Sequence, residues 1–124
     1  MADSRVLRRA EDFRRLREQG QTVRSEDVVM VYLFAEGSAS RVAVVASRRV
    51  GGAVRRNRAK RLLREAHRRL REECAGGLDL MLIARASAAR STSRAIEAQL
   101  ASLYKQAGLL KTRPQSKTEG NAPA

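Results

Sequence analysis

The chain has 124 residues, of which 26 are Lys or Arg and 13 are Asp or Glu, giving a formal net charge of +13. That length suits one domain, and a hydrophobic content of 43% supplies one modest core, which argues against wholesale disorder. No window approaches the roughly 20 uninterrupted apolar residues of a membrane span, the N-terminus is charged where a signal peptide would be apolar, and the lone Cys74 excludes an internal disulfide or a multi-thiolate zinc site. These features predict a soluble, cytoplasmic protein.

In chain order, Ala10–Gln19 is predicted as a short helix. Glu11 and Asp12 suit its positive N-terminal end, Phe13 and Leu16 share a face, and Gly20 stops it. Gln21–Arg24 is a candidate strand, followed by a polar turn at Ser25-Glu26-Asp27. Val28–Phe34 is seven apolar residues in succession, rich in β-branched and aromatic types, as expected of a strand buried on both faces. After loop chemistry at Glu36–Ser40, Arg41–Ala46 is a second central strand, expected to form a hairpin with the first. Gly51-Gly52 breaks the chain ahead of a long helix from about Ala53 to Glu73, closed by Gly76-Gly77. Leu80–Ala84 is another apolar strand. Ser91 or Thr92 can cap a last helix over Ser93–Ala107, with Ile96, Leu100, Leu103 and Ala107 on one face. Residues 1–111 are expected to form the single domain, and 112–124 a polar, disordered tail. The order α-β-β-β-α-β-α points to an α+β sandwich, with helices packed on a four-stranded sheet. If the strands flanking the long helix run parallel, general rules make their crossover right-handed.

The charge is concentrated. All but four of the basic residues (Lys60, Lys105, Lys111 and Lys117) are arginine, whose planar fork grips phosphate bidentately. Between Arg48 and Arg71 lie eleven basic residues and one acid, Glu65. A solvated helix surface normally mixes signs. At about 100° per residue, Leu62, Ala66, Ala59, Leu70 and Leu63 fall on one arc of the long helix. Arg56, Lys60, His67, Arg71, Arg64, Asn57, Arg68 and Arg61 occupy the opposite side. Such a ridge suits recognition of a nucleic-acid backbone, and its lack of aromatics rules out base stacking by the helix itself. The apolar stripe lacks the Trp or Phe anchors of a membrane-surface helix. With one His and scattered acids (Asp3, Glu26, Asp27, Glu36 and Asp79), protein-only nuclease chemistry is not expected.

The stretch Arg56-Asn57-Arg58-Ala59-Lys60-Arg61-Leu62-Leu63-Arg64-Glu65-Ala66-His67-Arg68, preceded by Ser47-Arg48-Arg49-Val50-Gly51-Gly52-Ala53-Val54, closely resembles the signature of the bacterial ribonuclease P protein subunit. The likeness runs from about Val6 to Leu103 and includes the Glu11-Asp12-Phe13 helix start. It implies a fold of the ribosomal protein S5 domain 2-like kind with a left-handed βαβ crossover, an exception to the general rule. It also implies a catalytic RNA partner, which cleaves the 5′ leader from precursor tRNA using Mg²⁺ held mainly by the RNA. No obligate protein partner and no membrane enter that picture. Direct metal ligation by the protein is left open. The alternative from composition alone is a structural RNA-binding protein resembling a ribosomal protein.

The resemblance further implies two surfaces. Arg48, Arg49, Arg55, Arg56, Asn57, Arg58, Lys60, Arg61, Arg64 and Arg68 would face the catalytic RNA. A sheet cleft with Phe13, Arg17, Val31 and Arg49 would hold the single-stranded leader. This sequence departs from the family where Arg17 and Val31 stand in place of frequent cleft aromatics. Phe13 is open to either cleft or core. Tyr32 and Phe34 are expected in the core, Cys74 reads as an incidental thiol, and His67 reads as either an RNA contact or solvated surface.

Overall fold

The computed structural model describes residues 5–6, 10–34, 40–74 and 77–110. The expected tail, Asp3, Glu36 and Gly76 lie outside them. The elements are β1 (Arg5–Val6), α1 (Ala10–Gln19), β2 (Gln21–Arg24), β3 (Val28–Phe34), β4 (Arg41–Ala46), α2 (Ala53–Leu70), β5 (Leu78–Ala84) and α3 (Ser93–Gln106). Three 3₁₀ turns, Arg48–Val50, Arg71–Glu73 and Ala86–Arg90, link them. The four expected strands are present, and the two-residue β1 adds an edge too short for a periodic signal. The long helix gives way to a 3₁₀ turn after Leu70, before the expected Glu73. No helix among the described residues is long and apolar enough to cross a membrane.

The sheet order is β1-β4-β5-β3-β2, and it corrects the expected hairpin. Strands β3 and β4 do not pair. Instead β5 lies between them, antiparallel to β3 and parallel to β4. The physical reason is burial: six of the seven β5 residues are buried, so this strand needs a neighbour on each side. α2 is the crossover that delivers β5 next to β4. β5 also starts earlier than expected, at Leu78, because Asp79 interrupts the apolar run yet is fully buried inside it.

Alternation divides the sheet into two faces. Val28, Met30, Tyr32, Leu80, Leu82 and Ala84 face α2 and α3, where Leu63, Ile96, Leu100 and Tyr104 complete the main core. Thr92 caps α3 through its hydroxyl, which accepts from the Ala95 N–H at 3.1 Å. On the opposite face, Val31, Ala43 and Met81 form a smaller cluster with Leu16 of α1. Gly20 lets α1 lie close: a Cβ there would stand 2.5 Å from the Leu16 carbonyl and 2.9 Å from a Val31 methyl.

Candidate nucleic-acid interface

α2 holds its charges through the residues it buries. Ala59, Leu62, Leu63 and Ala66 are all buried, as the stripe predicted. Above them Arg55, Asn57, Arg61, Arg64 and Arg68 are exposed, with Arg56 and Lys60 half-buried, and Arg48 and Arg49 are exposed in the preceding 3₁₀ turn. Among the described residues, none of these cations has an ion-pair partner. The first turn of α2 contains no acid, and its N-cap, Gly52, offers no side-chain bond. Gly51, at φ 135°, adopts a backbone shape that disfavours any side chain, and the Arg55 stem packs over it.

One residue of the ridge, His67, lies elsewhere, and Arg58, expected on the RNA-facing side, is exposed but has its guanidinium engaged. Arg58 turns its fork inward: Nε donates to the Ala89 carbonyl at 2.7 Å and Nη2 to the Ser91 carbonyl at 3.0 Å. It therefore braces α2 against the turn after β5. His67 is buried, and its Nδ1 lies 2.8 Å from the Tyr104 hydroxyl. Burial, reinforced by the Arg71 charge, lowers its pKa from 6.5 to about 4, so the imidazole is neutral near pH 7. Both residues sit about 40° beyond the edges of the Leu-Ala stripe. On the His67 side the buried arc is wider than the stripe, because α2 packs on α3 as well as on the sheet.

The sheet face under α1 is only partly covered. Phe13 is half-buried against the Leu16 cluster, so it is both packed and accessible. Arg17 is exposed, four residues along the same side of α1. Val31 does not line an open cleft: it is 8% exposed and lies beneath α1. The open floor is two residues further along, where half-buried Val29, Ile83 and Val45 stand in register. Ile83 also lines a cavity of about 630 Å³ at the sheet end, walled by Arg49, Arg85, Arg90, Ser47, Ser87 and Glu26. Arg85 and Arg90 escaped sequence reasoning because they lie past the main run of charge. Two arginines, one just before and one closing the five-residue turn after a core strand, were the available signal.

Buried aspartates brace both ends of this strip. Asp27 accepts from Ser87 Oγ and Gln99 Nε2, and Ser25 Oγ donates to the same glutamine. Burial pushes Asp27 up, but these bonds and the Arg85 charge outweigh it and hold its carboxyl below the usual value. At the other end, Asp79 accepts from Arg41 Nε at 2.9 Å and Nη2 at 2.7 Å, and from Arg15 Nη2 at 2.9 Å. Asp12 accepts from Arg41 Nη1 at 3.1 Å. The hydrogen bond to Asp79 leads the interactions that raise the Arg41 pKa. Of the acids that looked scattered in sequence, Asp27 and Asp79 are thus committed to internal partners. Phe34, expected in the core, is 57% exposed at the last position of β3, its ring edge-on to buried Tyr32 at 6.3 Å. Cys74 is buried and bridges to Leu110.

A cationic ridge standing on a packed stripe, beside a half-open sheet floor that ends among arginines, defines a basic α+β protein suited to a polyanion. The family described as Ribonuclease P matches residues 1–108. The chain is 36% identical over 115 residues to the ribonuclease P protein component of Brevibacillus brevis, covering 92% of this chain and 91% of that protein. It is 34% identical over 119 residues to that of Herpetosiphon aurantiacus, covering 96% and 97%. The RNase P protein from Thermotoga maritima superposes with a TM-score of 0.73 at 29% identity, over 81% of this chain and 94% of that one. The Staphylococcus aureus RNase P protein shares the fold, with a TM-score of 0.78 at 24% identity over 88% and 100%. This chain belongs to the ribonuclease P protein family, and its role is that of the protein component of a tRNA-processing ribonucleoprotein.

Proposed function

We propose that the exposed ridge of α2, with Arg48 and Arg49, docks on the phosphate backbone of the ribonuclease P RNA, and that the half-open strip beside α1 receives the 5′ leader of precursor tRNA. The observation carrying this reading is the row of cations without ion-pair partners among the described residues at Arg56, Lys60, Arg61, Arg64 and Arg68, above a packed stripe. Like charges at i, i+4 repel by a few tenths of a kcal/mol per pair. An external polyanion turns that repulsion into attraction. Phe13 offers one aromatic face to a leader base, while Arg17 and the arginines of the sheet-end cavity offer charge to its phosphates.

Bond cleavage belongs to the RNA in this reading. Among the described residues no group of three or more His, Cys, Asp or Glu could hold a metal ion, and Asp12 and Asp79 are occupied by arginines. Mg²⁺ is assigned in this reading mainly to the RNA partner, and no step is routed through the protein. The work takes place in the cytoplasm, where precursor tRNA is processed.

Reconstitution tests the reading. Adding the chain to a bacterial ribonuclease P RNA at low Mg²⁺ is expected to restore leader removal. Binding without stimulation would favour a purely structural RNA-binding role. Neutralising Arg56, Lys60 and Arg64 together is expected to weaken RNA binding and flatten its salt dependence by about 0.7–0.9 per lost phosphate contact. An unchanged slope would remove α2 from the interface.

A further inference from the structure

Asp79, Arg41, Asp12 and Arg15 form a charge-neutral cluster beneath α1, and none of the four belongs to the ridge or to the open strip. Asp79 is fully buried on β5, and Asp12 is nearly so on α1. Arg41 of β4 grips Asp79 with two nitrogens and Asp12 with a third, while Arg15 reaches back from α1 to Asp79. Buried ion pairs of this kind add little net stability over apolar side chains of similar volume. Their better-attested use is to fix an orientation, because a planar guanidinium bound bidentately admits one geometry.

Orientation is what α1 lacks otherwise. Its one fully buried apolar anchor is Leu16, with half-buried Phe13 beside it on the same cluster, and such non-directional apolar contacts along one side fix the rotation of a ten-residue helix only weakly. Tethers at Asp12 and Arg15, one turn apart, remove the remaining freedom. Rotation of α1 decides where Phe13 and Arg17 point. We infer that the Asp79–Arg41–Asp12–Arg15 cluster is a positioning clamp for leader recognition: it sets the rotation of α1 and so aims Phe13 and Arg17 across the half-open sheet floor. The inference rests on the proposed leader path.

The clamp has a signature distinct from direct contact. Its members neutralise one another, so breaking it lowers leader affinity without changing the number of phosphate contacts or the salt slope. The test uses holoenzyme reconstituted with a bacterial ribonuclease P RNA and compares affinity for a precursor tRNA with a long leader and for the same tRNA without one, at several salt concentrations. Phe13→Ala is the reference, and losing one base–aromatic stack is expected to lower that affinity ratio by about 5- to 100-fold. The paired replacement of Arg41→Met with Asp79→Leu is expected to lower the ratio comparably, with an unchanged salt slope. Arg15→Met, at the 41% exposed end of the cluster, breaks one tether without emptying the core and tests the same point if the paired variant folds poorly. Arg15→Lys is expected to recover part of the ratio. An undiminished ratio in the clamp variants, with a fall in Phe13→Ala, overturns the clamp alone. A drop of about 0.7 in salt slope for Arg15→Met would make Arg15 a phosphate contact and overturn it too. An undiminished ratio in Phe13→Ala removes the leader path and the clamp with it.

Discussion

The His67 imidazole meets the Tyr104 hydroxyl in the seam between α2 and α3, where burial and the Arg71 charge hold it neutral. Its pKa is about 4 in the folded chain against 6.5 when exposed, so the unfolded state binds the extra proton between those values. Stability from this residue is therefore fully present above pH 6.5 and falls as pH drops toward 4. At about 1.4 kcal/mol per pKa unit the loss approaches 3 kcal/mol. Denaturant midpoints at pH 7 and pH 4.5 are expected to differ less in His67→Gln than in the natural chain. Burial likewise holds the neighbouring Tyr104 hydroxyl protonated, its pKa pushed well up. Arg58 is the second residue whose role packing reassigns. Because its fork binds the Ala89 and Ser91 carbonyls, Arg58→Ala is expected to cost about 1 kcal/mol or more of stability. It should change the RNA salt slope less than Arg64→Ala does, which thermal melts and binding isotherms together would check.

At the scale of elements, α2 was legible from its sequence because one period of 3.6 residues carries both its buried stripe and its ridge. Leu63→Ala is expected to destabilise the fold by about 2–5 kcal/mol, since this side chain is fully buried at the α2–sheet contact. α1 was legible as a helix but not as a mount. Its approach to β3 depends on Gly20, where a methyl group would stand against the Leu16 carbonyl and a Val31 methyl. Gly20→Ala is expected to shift α1 and lower leader affinity more than affinity for leaderless tRNA, as measured in the same reconstituted holoenzyme. The misplaced cleft residue has a plain cause. Alternation along β3 assigns Val31 correctly to the face of α1, but only the docked helix decides that Val31 is covered while the row of Val29, Ile83 and Val45 stays open.

At the scale of the whole molecule, the two proposed surfaces meet near the 3₁₀ turns Arg48–Val50 and Ala86–Arg90. Arg49 belongs to both, in the turn before α2 and in the wall of the sheet-end cavity. The sequence by itself determined the element types, the polyanion-binding character and the family, because periodicity, charge density and a long contiguous signature are properties of neighbours along the chain. Tertiary structure alone decided that β5 separates β3 from β4, that Asp79 is neutralised inside the sheet, that His67 is buried, and which strip of sheet stays open. Strand order and buried charge pairing depend on residues up to 64 positions apart, as between Arg15 and Asp79. Contacts over such separations leave no local period in the chain, and they exist only once the sheet has brought its strands together.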